Sequence, residues 1–230
     1  MKNNFSGIAL SYNTAFLTNW KNALQLTAFR KQAFFTFLVV LFMAAFIHHF
    51  FGYIQARNGY VINDFVLNHF APRDVSGYIF MLMYTVISIA LVNIAQRPFL
   101  FLKGLQAYCL LVFMRIFFLY IIPLNPAETI IPLRDPVVDY FFYNETVITK
   151  DLFFSGHIST LFLLFLFIPG KRLKLFFVLV TLLVSALLLM QHSHYTIDII
   201  AAPFFSWISY KLSGMITVRE KPVISNLFFV

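Results

Sequence analysis

Long apolar blocks alternate with short polar ones along this chain. Six blocks approach the ~20 mostly apolar residues that a membrane-spanning helix needs: 33–53, 77–94, 104–122, 152–169, 175–190 and 195–212. The pattern predicts an all-α, polytopic membrane protein with six transmembrane helices in one bundle. No internal repeat or low-complexity linker divides it, so residues 31–214 read as a single membrane domain followed by a tail, 215–230. The segment before it, residues 1–30, mixes polar and apolar positions and holds Trp20, Lys21 and Arg30. It reads as an amphipathic helix lying at the interface. It lacks the basic start, short apolar core and small-residue cleavage site of a signal peptide, so no cleavage is expected.

Composition sharpens this reading. Of 230 residues, 60% are apolar, 31 are Phe and only 11% are charged. A soluble domain carries roughly 25% charged residues, and its surface must be covered by polar groups. Soluble globular, disordered and disulfide-rich classes are excluded. The lone cysteine, Cys109, lies in an apolar run and can form no internal disulfide. It reads as a buried, inert thiol.

The formal net charge of +8 gains meaning from its placement. With six spans both termini share a side. That side holds Lys2, Lys21, Arg30, Lys31, Arg97, Lys103, Lys171, Arg172, Lys174, Lys211, Arg219 and Lys221. The opposite side holds Arg57, Arg73, Arg134 and Lys150, while Arg115 falls inside the third block. The positive-inside rule therefore places the termini in the cytoplasm. All the acids except Glu220 gather on or near the other side: Asp64, Asp74, Glu128, Asp135, Asp139, Glu145, Asp151 and Asp198. The basic excess is a topology signal, and nucleic acid is not an expected partner.

Costly polar residues recur in two places. Asp151, Ser155, Gly156 and His157 stand where the fourth block begins; His192, His194, Tyr195, Thr196 and Asp198 join the fifth to the sixth. Both stretches fall on the extracytoplasmic side. Ionisable groups in a span are expensive, which makes them functional candidates. His194 and Asp198 are four residues apart, a spacing that puts both on one helix face; a carboxylate beside an imidazole fixes its tautomer. Two histidines, whose ordinary pKa lies near ~6.5, and one carboxylate suit phosphoryl transfer. One ring attacks phosphorus and the other protonates the departing oxygen. Ser155 and Gly156 fall in the first turn of a helix, where free N–H groups receive phosphate oxygens. Two plainer readings stand beside this one. Asp198 would cap the sixth helix, and His157, His192, His194 and Asp198 would suit a metal ion.

Asp151-x3-Ser155-Gly156-His157 resembles the third signature motif of the sphingomyelin synthases, and His194-Tyr195-Thr196-x-Asp198 resembles their fourth, extended by His192. That family lies within the lipid phosphate phosphatase (type 2 phosphatidic acid phosphatase) superfamily. The resemblance implies His194 as the nucleophile that becomes phosphorylated, Asp198 as its orienting partner and His157 as the general acid, with no metal or other cofactor. Ser155, Gly156, Asp151, Arg115, Tyr195 and Thr196 are the residues expected to hold phosphate or substrate. Departures concern the surroundings. Thr149-Lys150 replaces the family's Cys-Gly, Ile158 replaces a Thr, and Pro203 stands where a Tyr is expected. The general superfamily signature has a Ser-Arg pair six residues before the nucleophile, where this chain has Leu187 and Leu188. Its Lys-x6-Arg-Pro element is also absent. Phosphate-clamping cations must come from Arg115, Arg134 or Lys150.

The expected function is an integral-membrane lipid phosphatase or phospholipid head-group phosphotransferase with an extracytoplasmic site. Its partner is a phospholipid or lipid phosphate, with ceramide or diacylglycerol as acceptor in the transferase case. The competing class is a small transporter or lipid flippase that uses the same residues without covalent chemistry. A relay across the membrane would spread ionisable groups through its thickness, and here only Arg115 lies deep.

Overall fold

A computed structural model describes residues 16–135 and 148–218. Lys2, Asp139, Glu145, Arg219, Glu220 and Lys221 lie outside the described residues. Among the described residues every regular element is helical: α1 (residues 16–25), α2 (Thr27–Ala56), α3 (Ser76–Ala95), α4 (Pro98–Ile121), α5 (Gly156–Phe167), α6 (Lys171–Met190) and α7 (Thr196–Ile216), with a 3-10 turn at Leu67–His69. Five of these, α2, α3, α4, α6 and α7, are long and apolar enough to cross a membrane. The protein is a polytopic helical membrane protein.

The fourth predicted span is shorter than its apolar run. Residues 151–155 are not helical, Ser155 forms the N-cap of α5, and the helix stops before Ile168 and Pro169. Its 12 residues rise only about 18 Å. Proline removes a backbone donor and disfavours helix in the residue before it, which fixes the lower end. Gly170 follows at φ 86°, a conformation glycine adopts without strain, and turns the chain into α6.

This short helix is the hub. α5 packs against α3, α4, α6 and α7, α4 also lies along α7, and α2 packs on the outer side of α4. The main core joins Ile79, Val86, Leu111, Ile158, Leu161, Phe177, Val184, Leu188 and Ala202, all at most 1% exposed. Small residues let α7 approach closely: Ala202, Ser206, Ser209 and Ser213 are fully buried. The Ser206 hydroxyl lies 2.8 Å from the carbonyl oxygens of both Ser159 and Ala202. Small and hydroxyl-bearing residues are what membrane helix interfaces use, because close backbone packing replaces the hydrophobic drive.

The helix break at Leu26 lets α1 fold back against the junction of α3 and α4. Trp20 donates its indole N–H to the Ala95 carbonyl (2.8 Å), and the Asn19 amide donates to Gln96 O (3.3 Å). Both carbonyls end α3, where helix geometry leaves them without intrahelical partners.

At the opposite end of the bundle, residues 57–75 and 122–135 run over the helices as a cover. Tyr60 N–H donates to Pro123 O and Asn125 N–H to Tyr60 O, each at 2.9 Å. Gly59 is required there, since a Cβ would meet the Leu124 carbonyl carbon at 2.7 Å. Gln191, fully buried at the end of α6, donates to Ser76 Oγ (2.7 Å) and accepts from Val75 N–H (3.2 Å). The cover is thereby fastened to α3 and α6.

Candidate active site

Beneath this cover lie the two polar stretches of sequence. His157 is the second residue of α5, and His194 stands two residues before α7 begins. Their rings face each other edge to face, with centroids 5.9 Å apart. His194 Nδ1 lies 3.4 Å from Asp198 Oδ2, and both residues are buried. With Nδ1 turned to the carboxylate, Nε2 is the nitrogen His194 can offer to a substrate.

The His–Asp pair closes differently from the helix-face geometry expected. His194 precedes the helix; Tyr195 is its N-cap and Asp198 its third residue. Asp198 curls back in a capping box, so that the same Oδ2 accepts the Tyr195 N–H (3.0 Å). One carboxylate therefore both caps α7 and holds the imidazole. Its other oxygen, Oδ1, is buried without a hydrogen-bond partner, as is His157 Nδ1. Buried polar atoms are paired in the great majority of cases, so this cluster carries unspent hydrogen-bonding capacity.

The two stretches are joined directly. The Ser155 N–H donates to the Asp198 carbonyl (3.1 Å), and the Ser155 hydroxyl accepts from Ile158 N–H (3.4 Å). Ser155 is fully buried; its role is to shape the start of α5. The next two N–H groups, of Gly156 and His157, belong to the helix's first turn, which has no intrahelical acceptors.

Of the three cations available, Arg115 is the one brought here. Projecting from α4, its guanidinium donates to the Phe154 carbonyl and forms an ion pair with Asp151. It also lies flat against Gly156: a Cβ there would be 2.7 Å from Arg115 Nη1 and 2.8 Å from Cζ. The glycine of Ser-Gly-His thus makes room for the cation. Lys150 instead donates to the Arg57 carbonyl; the Arg134 backbone, not its guanidinium, donates to Ser76 Oγ.

Tyr195 and Thr196 bind the cover. The Tyr195 hydroxyl donates to Asn125 O (2.9 Å) and accepts from Ile62 N–H (3.3 Å). Thr196 gives its N–H (2.6 Å) and its hydroxyl (2.9 Å) to the carboxylate of Asp64. Asp64 also accepts from Val66 and Leu67 N–H. Burial works against its charge, but these donors, Thr196 foremost, hold its carboxyl below the ordinary value. Asp64 supports the site without being recognised in the sequence, because nothing local marks a loop aspartate whose partner is 132 residues away.

His192 stands apart from the facing pair. It adopts φ 55°, and its Nδ1 is hydrogen-bonded to the Thr129 hydroxyl at 2.6 Å. Burial pushes its imidazole down, against the opposing effects of the Phe70 backbone and Asp64. Among the described residues no three His, Cys, Asp or Glu side chains are placed to hold a metal ion.

Comparison with known proteins adds one finding: residues 150–214 match the model of the PAP2 superfamily C-terminal domain. The matched segment contains Asp151, Ser155, Gly156, His157, His194 and Asp198, and runs through α5, α6 and most of α7. No curated protein matches the chain. The family match supports a relationship to the lipid phosphate phosphatase superfamily and, with it, a lipid phosphatase-type membrane enzyme.

Proposed function

We propose that the protein is a lipid phosphatase or phospholipid head-group phosphotransferase that works through a phosphohistidine on His194, in the manner of the sphingomyelin synthases. The observation that carries this reading is the facing pair of rings, His157 and His194, with Asp198 behind the second. His194 Nε2 attacks phosphorus, and the bond from phosphorus to the leaving oxygen breaks. Protonated His157 gives that oxygen its proton. In the second half, water or a lipid hydroxyl attacks the phosphohistidine, the P–N bond breaks and His157 takes the attacking group's proton. Asp198 holds the His194 ring so that Nε2 stays directed at phosphorus.

Charge on the non-bridging oxygens must be met by fixed donors, since phosphoryl transfer depends on positioning and electrostatics. Arg115 and the first-turn N–H groups of Gly156 and His157 are the donors at hand. Asp151 keeps the Arg115 fork oriented. Ceramide or diacylglycerol would be the accepting hydroxyl in a transferase. Both termini would be cytoplasmic and the site extracytoplasmic, in line with the basic residues at the far end of the bundle.

The test is incubation of the purified full-length protein with phosphatidic acid, ceramide phosphate and phosphatidylcholine, each with and without ceramide or diacylglycerol. Free phosphate, or phosphocholine from phosphatidylcholine, marks a hydrolase, and a new phospholipid marks a transferase. Turnover that persists in His194→Ala would overturn the phosphohistidine route.

A further inference from the structure

Outside the site, between the distal halves of α2 and α4, runs an apolar groove of about 600 Å³. That volume falls in the ~300–1,000 Å³ range of small-molecule pockets. Its walls include Phe46, His49 and Tyr53 from α2 and Phe113, Phe117 and Tyr120 from α4. From Phe46 to Tyr53 the groove follows α2 for about 10 Å, toward the end of the bundle where the candidate site lies.

The mouth has a different character. Tyr53 and Tyr120 stack there, centroids 6.2 Å apart, as aromatic residues do at the membrane–water boundary. Arg57 lies over Tyr53, 5.8 Å from the ring centre, and donates to the Leu119 and Tyr120 carbonyls. A guanidinium has five N–H donors, so some remain. Lys150 reaches the same place, donating to Arg57 O. Among the described residues neither cation is paired with a carboxylate.

We propose that this groove seats one acyl chain of an anionic phospholipid, with the lipid phosphate held at Arg57 and Lys150. The apolar walls would accept any hydrocarbon. Two cations at the mouth, neither paired with a carboxylate among the described residues, favour a chain that ends in phosphate, because charge-assisted bonds from a guanidinium to phosphate are the strong ones. The seat adjoins the candidate active site without sharing a residue with it. Lys150 stands at the mouth, and its neighbour Asp151 is paired with Arg115.

Photolabelling tests this directly. The probes are phosphatidic acid and diacylglycerol, each with a diazirine midway along one acyl chain. The protein is the full chain carrying His194→Ala, so the result does not depend on turnover or on the proposed reaction. Adducts are expected on the segments 46–53 and 113–120, several-fold more from phosphatidic acid than from diacylglycerol. His49→Trp, at an exposed position on the wall, should fill the groove and reduce them. Arg57→Gln should abolish the preference for phosphate; if that variant does not fold, Lys150→Gln serves the same purpose. Equal labelling by both lipids would overturn the proposal. So would adducts spread evenly onto exposed α6 residues such as Leu179 and Leu182, which would mean annular lipid only.

Discussion

The guanidinium of Arg115 fills the space that a side chain on Gly156 would need, with Nη1 2.7 Å from the position of the missing Cβ. A cation from the last third of α4 is thereby pressed against the first turn of α5, one residue before His157. Gly156→Ala must push the guanidinium away. Displacing a reacting or positioning group by an ångström can cost ~10²-fold in rate. Turnover should therefore fall by one to two orders of magnitude while the variant still elutes as a folded, monodisperse species in detergent. Unchanged turnover would mean that Arg115 does not serve the reaction.

Arg115→Lys separates charge from shape. The lysine keeps the positive charge but loses the planar fork that now reaches Asp151 and the Phe154 carbonyl together. The expected loss is ~10²-fold in kcat, with a smaller change in KM. Asp151→Asn should cost less than Arg115→Lys, since it removes the orienting partner and leaves the cation. Steady-state kinetics on both variants decide the order.

The two histidines should be separable by leaving group. In the first half of the proposed reaction His157 would be needed only to protonate the departing oxygen, a contribution typically worth ~10²–10⁴-fold. With an activated aryl phosphate, which leaves without a proton, His157→Ala should recover much of the rate of its first half-reaction, read as a burst of the released aryl alcohol, while its steady-state turnover stays low. His194→Ala and Asp198→Asn should not. A phosphorylated protein, trapped by rapid quench, should appear in His157→Ala and be missing from His194→Ala. Vanadate, which mimics pentacoordinate phosphorus, should inhibit turnover by the unmodified protein.

Asp64 ties the loop before α3 to the first residue of α7, and its carboxyl is held below the ordinary value by the Thr196 donors. A carboxyl lowered in the folded state contributes stability above its unfolded pKa and loses it as pH falls through the folded value. The protein should therefore weaken as the medium drops below roughly pH 4, near the unperturbed carboxylate value. Asp64→Asn should be less stable at neutral pH and show a flatter acid limb. Thermal unfolding of the solubilised protein between neutral and acid pH measures both.

Much of the fold could be read from the chain, because helix and span follow from runs of apolar residues alone. The start of α5 was harder. The apolar run begins at Leu152, yet the helix begins at Gly156, because Ser155 caps it and the non-helical residues before it are tied to Arg115 and Asp198. His194 and Asp198 stood out by spacing, although the reason they meet is a capping box rather than a shared helix face. Arg115 was conspicuous as a charge inside a span. Asp64, Gln191 and Asn125 were not, since each works through partners distant in sequence and no local pattern announces them.

The bond from Ser155 N–H to the Asp198 carbonyl has a consequence for biosynthesis. α5 and α6 leave the ribosome before α7, so for a time His157 has neither its facing imidazole nor the backbone oxygen that steadies the turn before it. Under the proposed function, turnover of membrane lipids would begin only once α7 is in place, which would tie the onset of chemistry to the completion of this part of the bundle.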